Sequence, residues 1–177
     1  ETEAGGTLKG SNRFKSHLLL KDFSDLIRAP RILDLVEQLI GPDIMVWSTD
    51  WWIKEAQSPS FVSWHQDSQY WSLDYGDEPD TDRTTPVITF WFPLQAVDEE
   101  SGCLQVISRR ETGDRIFEPH DYDYQRTGFL GLSPTDMEEL HPAPVRMEAG
   151  DLLVFNQRTP HGACPNRSDH IRWSVDI

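Results

Sequence analysis

The feature that most constrains this chain is a succession of short apolar bursts, each cut off by a turn former. "VITFWFPL", "GCLQVIS", "APVRME", "DLLVFNQ" and "HIRWSVDI" follow one another, bounded by Gly, Pro, Asp or Asn. "IMVWSTDWWIK" and "FVSWHQD" precede them and are rich in β-branched and aromatic residues. Runs this short, punctuated this often, build strands and leave little room for long helices. The exception is "APRILDLVEQLIGPD". There Ile32, Leu35, Val36, Leu39 and Ile40 recur at helical spacing, Pro30 suits a first turn and Gly41-Pro42 a stop. The pattern predicts a mainly β chain with flanking helices, folded as a sandwich or barrel, with this helix packed against a sheet.

The 177 residues are about one domain's worth, and no repeat, low-complexity tract or internal boundary breaks them. Residues 1–23 carry Gly, Ser and Lys without periodicity and are expected to form a loop or active-site flap. "DYGDEPDTDRTTP" is acidic and polar, and belongs to a long surface loop over residues 72–86. Residues 109–141 are irregular, with one short helix expected at "SPTDMEEL", capped by Ser133.

Charge removes several function classes. Sixteen basic residues stand against 30 acidic ones, a net charge of −14. Nucleic acid and anionic membrane surfaces both need a basic face, so neither is an expected partner. No apolar run approaches the roughly 18 residues of a membrane span. Cys103 and Cys164 are too few for a disulfide scaffold and form no CxxC pair, so both are read as reduced residues of a cytoplasmic protein.

Against this background "FVSWHQDSQYW" stands out. On a strand, side chains alternate faces, so His65 and Asp67 would point the same way and Gln66 the other. One such pair grips an ion only if a third ligand arrives from elsewhere. The candidates are His161, His120, His141, His170 and His17. Two His and one carboxylate form the donor set of non-haem Fe(II) oxygenases, which leaves open positions on the metal. Eleven residues beyond His161 lies Arg172, in "HIRWSVDI". Alternation places Arg172, Ser174 and Asp176 on one face, with Ile171, Trp173, Val175 and Ile177 on the other. An arginine turned into a barrel needs an anion, and a carboxylate fits its fork. Val87, Thr89 and Trp91 share one side of their strand, which makes Trp91 a candidate wall of the same cavity.

Taken together, "WHQDSQYW", "ITFWFPLQAVDEESGCLQVI", "AGDLLVFNQRTPHGACPNRSD" and "RWSVDI" resemble the phytanoyl-CoA dioxygenase family, in the right order over residues 45–177. The resemblance implies a double-stranded β-helix, the cupin-like jelly roll, and an oxygenase using Fe(II) with 2-oxoglutarate and O2 as cosubstrates. It implies His65, Asp67 and His161 as iron ligands, Arg172 as partner of the far carboxylate of 2-oxoglutarate, and Trp91 beside it. Some members carry a Ser two residues after the distal His, where this chain has Ala163; Thr89 or Ser174 is then expected to supply that hydrogen bond. A "GSH" common in the family reads "SRRETG" here. Tyr70, Trp71 and Trp51 are candidates for the substrate pocket.

The implied organisation is a single oxygenase domain, with 1–43 as N-terminal flap and helix and 44–177 as jelly-roll core, trimmed at both ends. Halogenating relatives replace the ligand aspartate by a small residue. Asp67 is present, so hydroxylation is expected. The substrate is expected to be a small metabolite or natural-product intermediate, because a CoA thioester would need a basic landing patch. Two rival readings stand beside this one. A cupin-like metal enzyme without 2-oxoglutarate would have no need of Arg172. A non-catalytic binding protein on the same fold would have no need of three intact ligands.

Overall fold

The computed structural model describes residues 13–71, 87–121 and 130–177. The expected loop at 72–86 lies outside them. A 3-10 turn at Ser16–Leu18 leads to two helices, α1 (Lys21–Leu26) and α2 (Pro30–Ile40). The strands are β1 (Asp50–Lys54), β2 (Val62–His65), β3 (Ile88–Pro93), β4 (Leu104–Val106), β5 (Ala143–Pro144), β6 (Leu153–Asn156), β7 (His161–Ala163) and β8 (Arg172–Asp176). Between them sit three short helices: α3 (Ser68–Trp71), α4 (Arg109–Thr112) and α5 (Pro134–Glu138). No helix among these residues is long and apolar enough to cross a membrane.

The strands form two four-stranded antiparallel sheets, in the orders β1-β8-β3-β6 and β2-β7-β4-β5. Neighbours in each sheet are distant in sequence, as a jelly roll requires. Trp91, Val97, Cys103, Leu104, Met147, Phe155 and Ala163 form the buried apolar cluster, drawn from both sheets.

Local chemistry explains most of the boundaries. Pro30 opens α2, and Gly41 closes it at φ 87°, a conformation that side-chain-bearing residues avoid. Ser133 caps α5 as expected, its hydroxyl accepting the Asp136 N–H. The apolar stripe of α2 is less buried than its pattern predicts. Val36 is its buried residue, and Leu39 is 51 % exposed. The helical ring that stacks on the sheet comes instead from α1: Phe23 lies 4.9 Å from Trp51 of β1.

The first apolar burst is a strand only from Asp50 onward. Residues before it are held otherwise, with Thr49 receiving the His17 N–H on its hydroxyl and the Ser16 N–H on its carbonyl. "APVRME" contributes only Ala143–Pro144 and a bridge from Met147 to Val97. One strand escapes the pattern altogether. β7, "HGA", has no β-branched residue, yet it pairs with both β2 and β4.

Candidate metal centre

β2 and β7 are antiparallel neighbours in a register that sets His65 opposite His161. Their ring centroids are 4.2 Å apart. Asp67 joins them by a different route from the one alternation predicts. β2 ends at His65, and Asp67 sits in the turn that opens α3, where its carbonyl accepts the Tyr70 N–H. The chain bends rather than continuing, and the carboxylate still arrives beside both rings. Asp67 Oδ1 lies 3.5 Å from His65 Nε2 and 3.8 Å from His161 Nε2. The three donor atoms fall within 4.8 Å of one another, close enough to hold one metal ion.

The tautomers suit that role. His65 Nδ1 is 2.8 Å from the Ser63 carbonyl, and His161 Nδ1 is 3.0 Å from the Thr159 carbonyl. A carbonyl only accepts, so each Nδ1 carries a proton, and in the neutral ring each Nε2 presents a lone pair to the cluster. Burial, together with the neighbouring His65, pushes the His161 pKa down to about 4, which keeps the ring neutral at physiological pH. Burial raises the Asp67 pKa, but His161, His65 and Thr89 outweigh it and hold the carboxyl below its ordinary value. An anionic Asp67 carboxylate and a neutral His161 imidazole are the protonation states a divalent metal binds.

Arg172 opens β8 on the facing sheet and is 2 % exposed. One guanidinium nitrogen donates to Ser174 Oγ at 3.2 Å, while its Nε has no partner among the described residues. No carboxylate among them pairs with it. Its guanidinium carbon lies 5.9 Å from the centroid of Trp91. Burial depresses its pKa to about 10. Thr89 and Trp91 lie two apart on β3, and therefore share a face with about 7 Å between them. Thr89 touches the metal cluster and Trp91 flanks Arg172, so cluster and guanidinium open on the same interior between the sheets. Phe155 packs on His161 at 4.7 Å and, with Trp91, Leu104 and Ala163, makes that interior apolar.

The remaining candidates separate. Thr89 donates its hydroxyl proton to Asp67 Oδ2 at 3.3 Å, and Ser174 donates to the Trp52 carbonyl while accepting from Arg172. Both hydroxyls are therefore engaged, Thr89 with Asp67 and Ser174 with Arg172 and Trp52. Tyr70 stands edge-on to His65 at 5.6 Å, its hydroxyl donating to the Leu130 carbonyl. Burial and the Asp67 charge push its pKa up to about 12. Trp71 ends α3, partly buried. Trp51 faces away from the site, between Phe23 and Trp173 on the outer side of the sheet. Its side chain alternates with Trp52, whose neighbour across the ladder is Ser174. The first three other histidines, His17, His120 and His141, and also His170, stay outside the cluster.

Several contributors carry no sequence signature of their own. Gln66 is fully buried. Its amide donates to the Arg115 and Arg158 carbonyls, and its oxygen accepts the Phe117 N–H, which pins two loops behind the ligand turn. Asn166 is equally buried and ties together the Lys54, Glu55 and His170 carbonyls. Asp176 is half-buried on β8, accepting from the Asp50 N–H and the Trp52 indole, and desolvation raises its pKa well above the ordinary range. Lys54 is 4 % exposed and stands opposite Arg172 in the β1–β8 ladder. Two charged residues alternating within β1, Asp50 and Lys54, were the signal for an inward polar face.

The family model for phytanoyl-CoA dioxygenase (PhyH) matches residues 4–174. The chain belongs to the phytanoyl-CoA dioxygenase family. Solved structures show the same fold. ThoJ, a non-heme monooxygenase in complex with Ni, is 26 % identical with a TM-score of 0.68, over 99 % of this chain and 60 % of its own. EctD from S. alaskensis, bound to 2-oxoglutarate and 5-hydroxyectoine, is 17 % identical with a TM-score of 0.69, over 92 % and 53 %. SnoN, a non-heme alpha-ketoglutarate-dependent epimerase of nogalamycin biosynthesis, is 21 % identical with a TM-score of 0.64, over 92 % and 57 %. The PhyH-family chain described here thus spans about three fifths of the length of the first of these.

Proposed function

We propose that this chain is an Fe(II)- and 2-oxoglutarate-dependent oxygenase that hydroxylates a small organic substrate. The observation that carries the reading is the pairing of two features across one apolar interior. A cluster of two histidines and one carboxylate faces a buried arginine that has no acidic partner among the described residues. The donor set suits Fe(II) and leaves coordination positions open. The guanidinium suits the far carboxylate of a short dicarboxylate, by the bidentate geometry arginine favours. Family membership supports the same assignment.

In this reading His65, Asp67 and His161 hold the metal, with Thr89 orienting Asp67 and the two backbone carbonyls orienting the rings. Arg172, held by Ser174 and flanked by Trp91, sets the direction and depth of the cosubstrate. Phe155 and the apolar cluster exclude water from the reacting face. Bound Fe(II) with 2-oxoglutarate supplies the O2-activating, hydrogen-abstracting chemistry; the chain supplies position, charge and dryness. Asp67 occupies the carboxylate position, which leaves no ligand vacancy for a halide and favours hydroxylation over halogenation. The net charge of −14 favours a neutral or cationic substrate over a CoA thioester, and Tyr70, beside His65, is a candidate substrate contact.

Anaerobic titration with Fe(II) and 2-oxoglutarate tests the assignment. The weak visible band that a 2-oxo acid gives on chelating Fe(II) is expected, and its absence refutes the cosubstrate. Substrate-stimulated succinate release, followed by mass analysis for an added oxygen, tests hydroxylation against epimerisation, which adds none.

A further inference from the structure

Lys54 and Arg172 are directly opposite one another on antiparallel strands. Both side chains are buried, at 4 % and 2 % exposure. Like charges so placed destabilise a sheet, and no carboxylate among the described residues forms an ion pair with either. The other ionisable groups acting on Lys54 are the thiols of Cys103 and Cys164. Burial pushes the Cys103 pKa up to about 11, so it supplies no anion at neutral pH. Burial, and then the charge of Arg172, bring the Lys54 pKa down to about 7. A buried lysine and a buried arginine set opposite one another, with no carboxylate partner among the described residues, mark a place where an anion is expected to arrive.

The geometry of the ammonium sharpens this. Lys54 Nζ donates to the Ala163 carbonyl at 3.3 Å and to the Cys164 carbonyl. A lysine ammonium has three donors, so one remains. Ala163 itself offers no side-chain hydrogen bond at this point of the pocket, and the hydroxyls of Thr89 and Ser174 are already engaged with Asp67 and Trp52.

We propose that Lys54 is the second cation of the cosubstrate pocket, giving its third ammonium hydrogen to the same far carboxylate that Arg172 holds. The assignment rests on the 2-oxoglutarate reading above. It makes the pocket selective for 2-oxo acids with a second carboxylate, through two cations on two neighbouring strands.

The test is anaerobic calorimetric titration of the Fe(II) protein with 2-oxoglutarate and with 2-oxopentanoate, which carries a methyl group in place of the far carboxylate. Lys54→Gln keeps a donor for the two carbonyls and removes the charge. The variant should bind 2-oxoglutarate about tenfold to a hundredfold more weakly, as expected for a lost hydrogen bond to a charged group. Its affinity for 2-oxopentanoate should stay within about twofold of the parent. Equal weakening of both ligands, or unchanged selectivity, makes Lys54 a purely structural residue and overturns the proposal. A second measurement needs no substitution. In the parent protein, 2-oxoglutarate should shield Lys54 from reductive methylation, read by mass spectrometry, and 2-oxopentanoate should not; equal labelling with the two ligands also overturns it. Failure of the parent to bind 2-oxoglutarate at all removes the oxygenase reading together with this one, which separates the two failures.

Discussion

Replacing Arg172 by Met should uncouple stability from cosubstrate binding. In the free protein the guanidinium is buried with one neutral side-chain partner, Ser174, and a ring 5.9 Å away. Its pKa falls to about 10 from the ordinary 12.5, which corresponds to about 3 kcal/mol against the charged form in the native fold. Neutral pH lies below both values, so the arginine is charged folded and unfolded and the full penalty is present there. A methionine of similar length removes the penalty and keeps much of the packing. Without 2-oxoglutarate, Arg172→Met should therefore melt at or above the parent's temperature, by up to roughly 10 °C for about 3 kcal/mol at this chain length. With ligand the order reverses. A cosubstrate at a hundred times its Kd stabilises the parent by about 2.7 kcal/mol, a rise of roughly 5–10 °C. Losing a buried charge pair costs about 2–5 kcal/mol of affinity, which leaves at most about 0.9 kcal/mol of ligand stabilisation, so the variant's rise should fall below about 3 °C. Differential scanning fluorimetry of the Fe(II) protein under anaerobic conditions, with and without 2-oxoglutarate, reads both effects. A variant that melts more than about 3 °C lower without ligand refutes the uncompensated-charge argument. A ligand-induced rise equal to the parent's refutes the role of Arg172.

Three further outcomes follow from the same geometry. Thr89→Val removes the hydroxyl that donates to Asp67 and should weaken metal affinity about tenfold in chelator competition, with little change in melting temperature. In the metal-free protein, His161 has a pKa of about 4 against an ordinary 6.5. The unfolded chain therefore takes up the proton first as pH falls, and stability is present above pH 6.5 and lost between 6.5 and 4, by up to about 3 kcal/mol; urea denaturation across that window should show the slope, and His161→Asn should flatten it. Asn166→Ala leaves three carbonyls and the Ser168 N–H without their partner and should cost about 3 kcal/mol in denaturant unfolding.

The sequence carries the ligand set and the arginine because their spacing survives folding in simple ways. His65 and Arg172 lie on strands whose letters alternate cleanly, and the Ser133 cap and the Pro30 start are local chemistry that needs no tertiary partner. What stays hidden depends on contacts between distant segments. β7 is a strand because β2 and β4 clasp it, although "HGA" has no strand propensity. Asp67 reaches the cluster from a turn, so alternation predicts its destination for a reason the backbone does not use. Trp51 and Trp52 read alike in sequence, and only the register with β8 shows that one faces Phe23 and the other Ser174. Lys54 and Arg172 are 118 positions apart, and their opposition exists only in the ladder.

Each ligand histidine is steadied by a carbonyl two residues before it in its own chain segment. The aim of each imidazole is thus a property of a three-residue stretch and of the sheet beneath it. Loops that shape a substrate can lengthen, shorten or be exchanged without moving these two short stretches, each of which carries its ring's carbonyl within itself. A scaffold wired in this way can change what it oxidises while keeping how it oxidises.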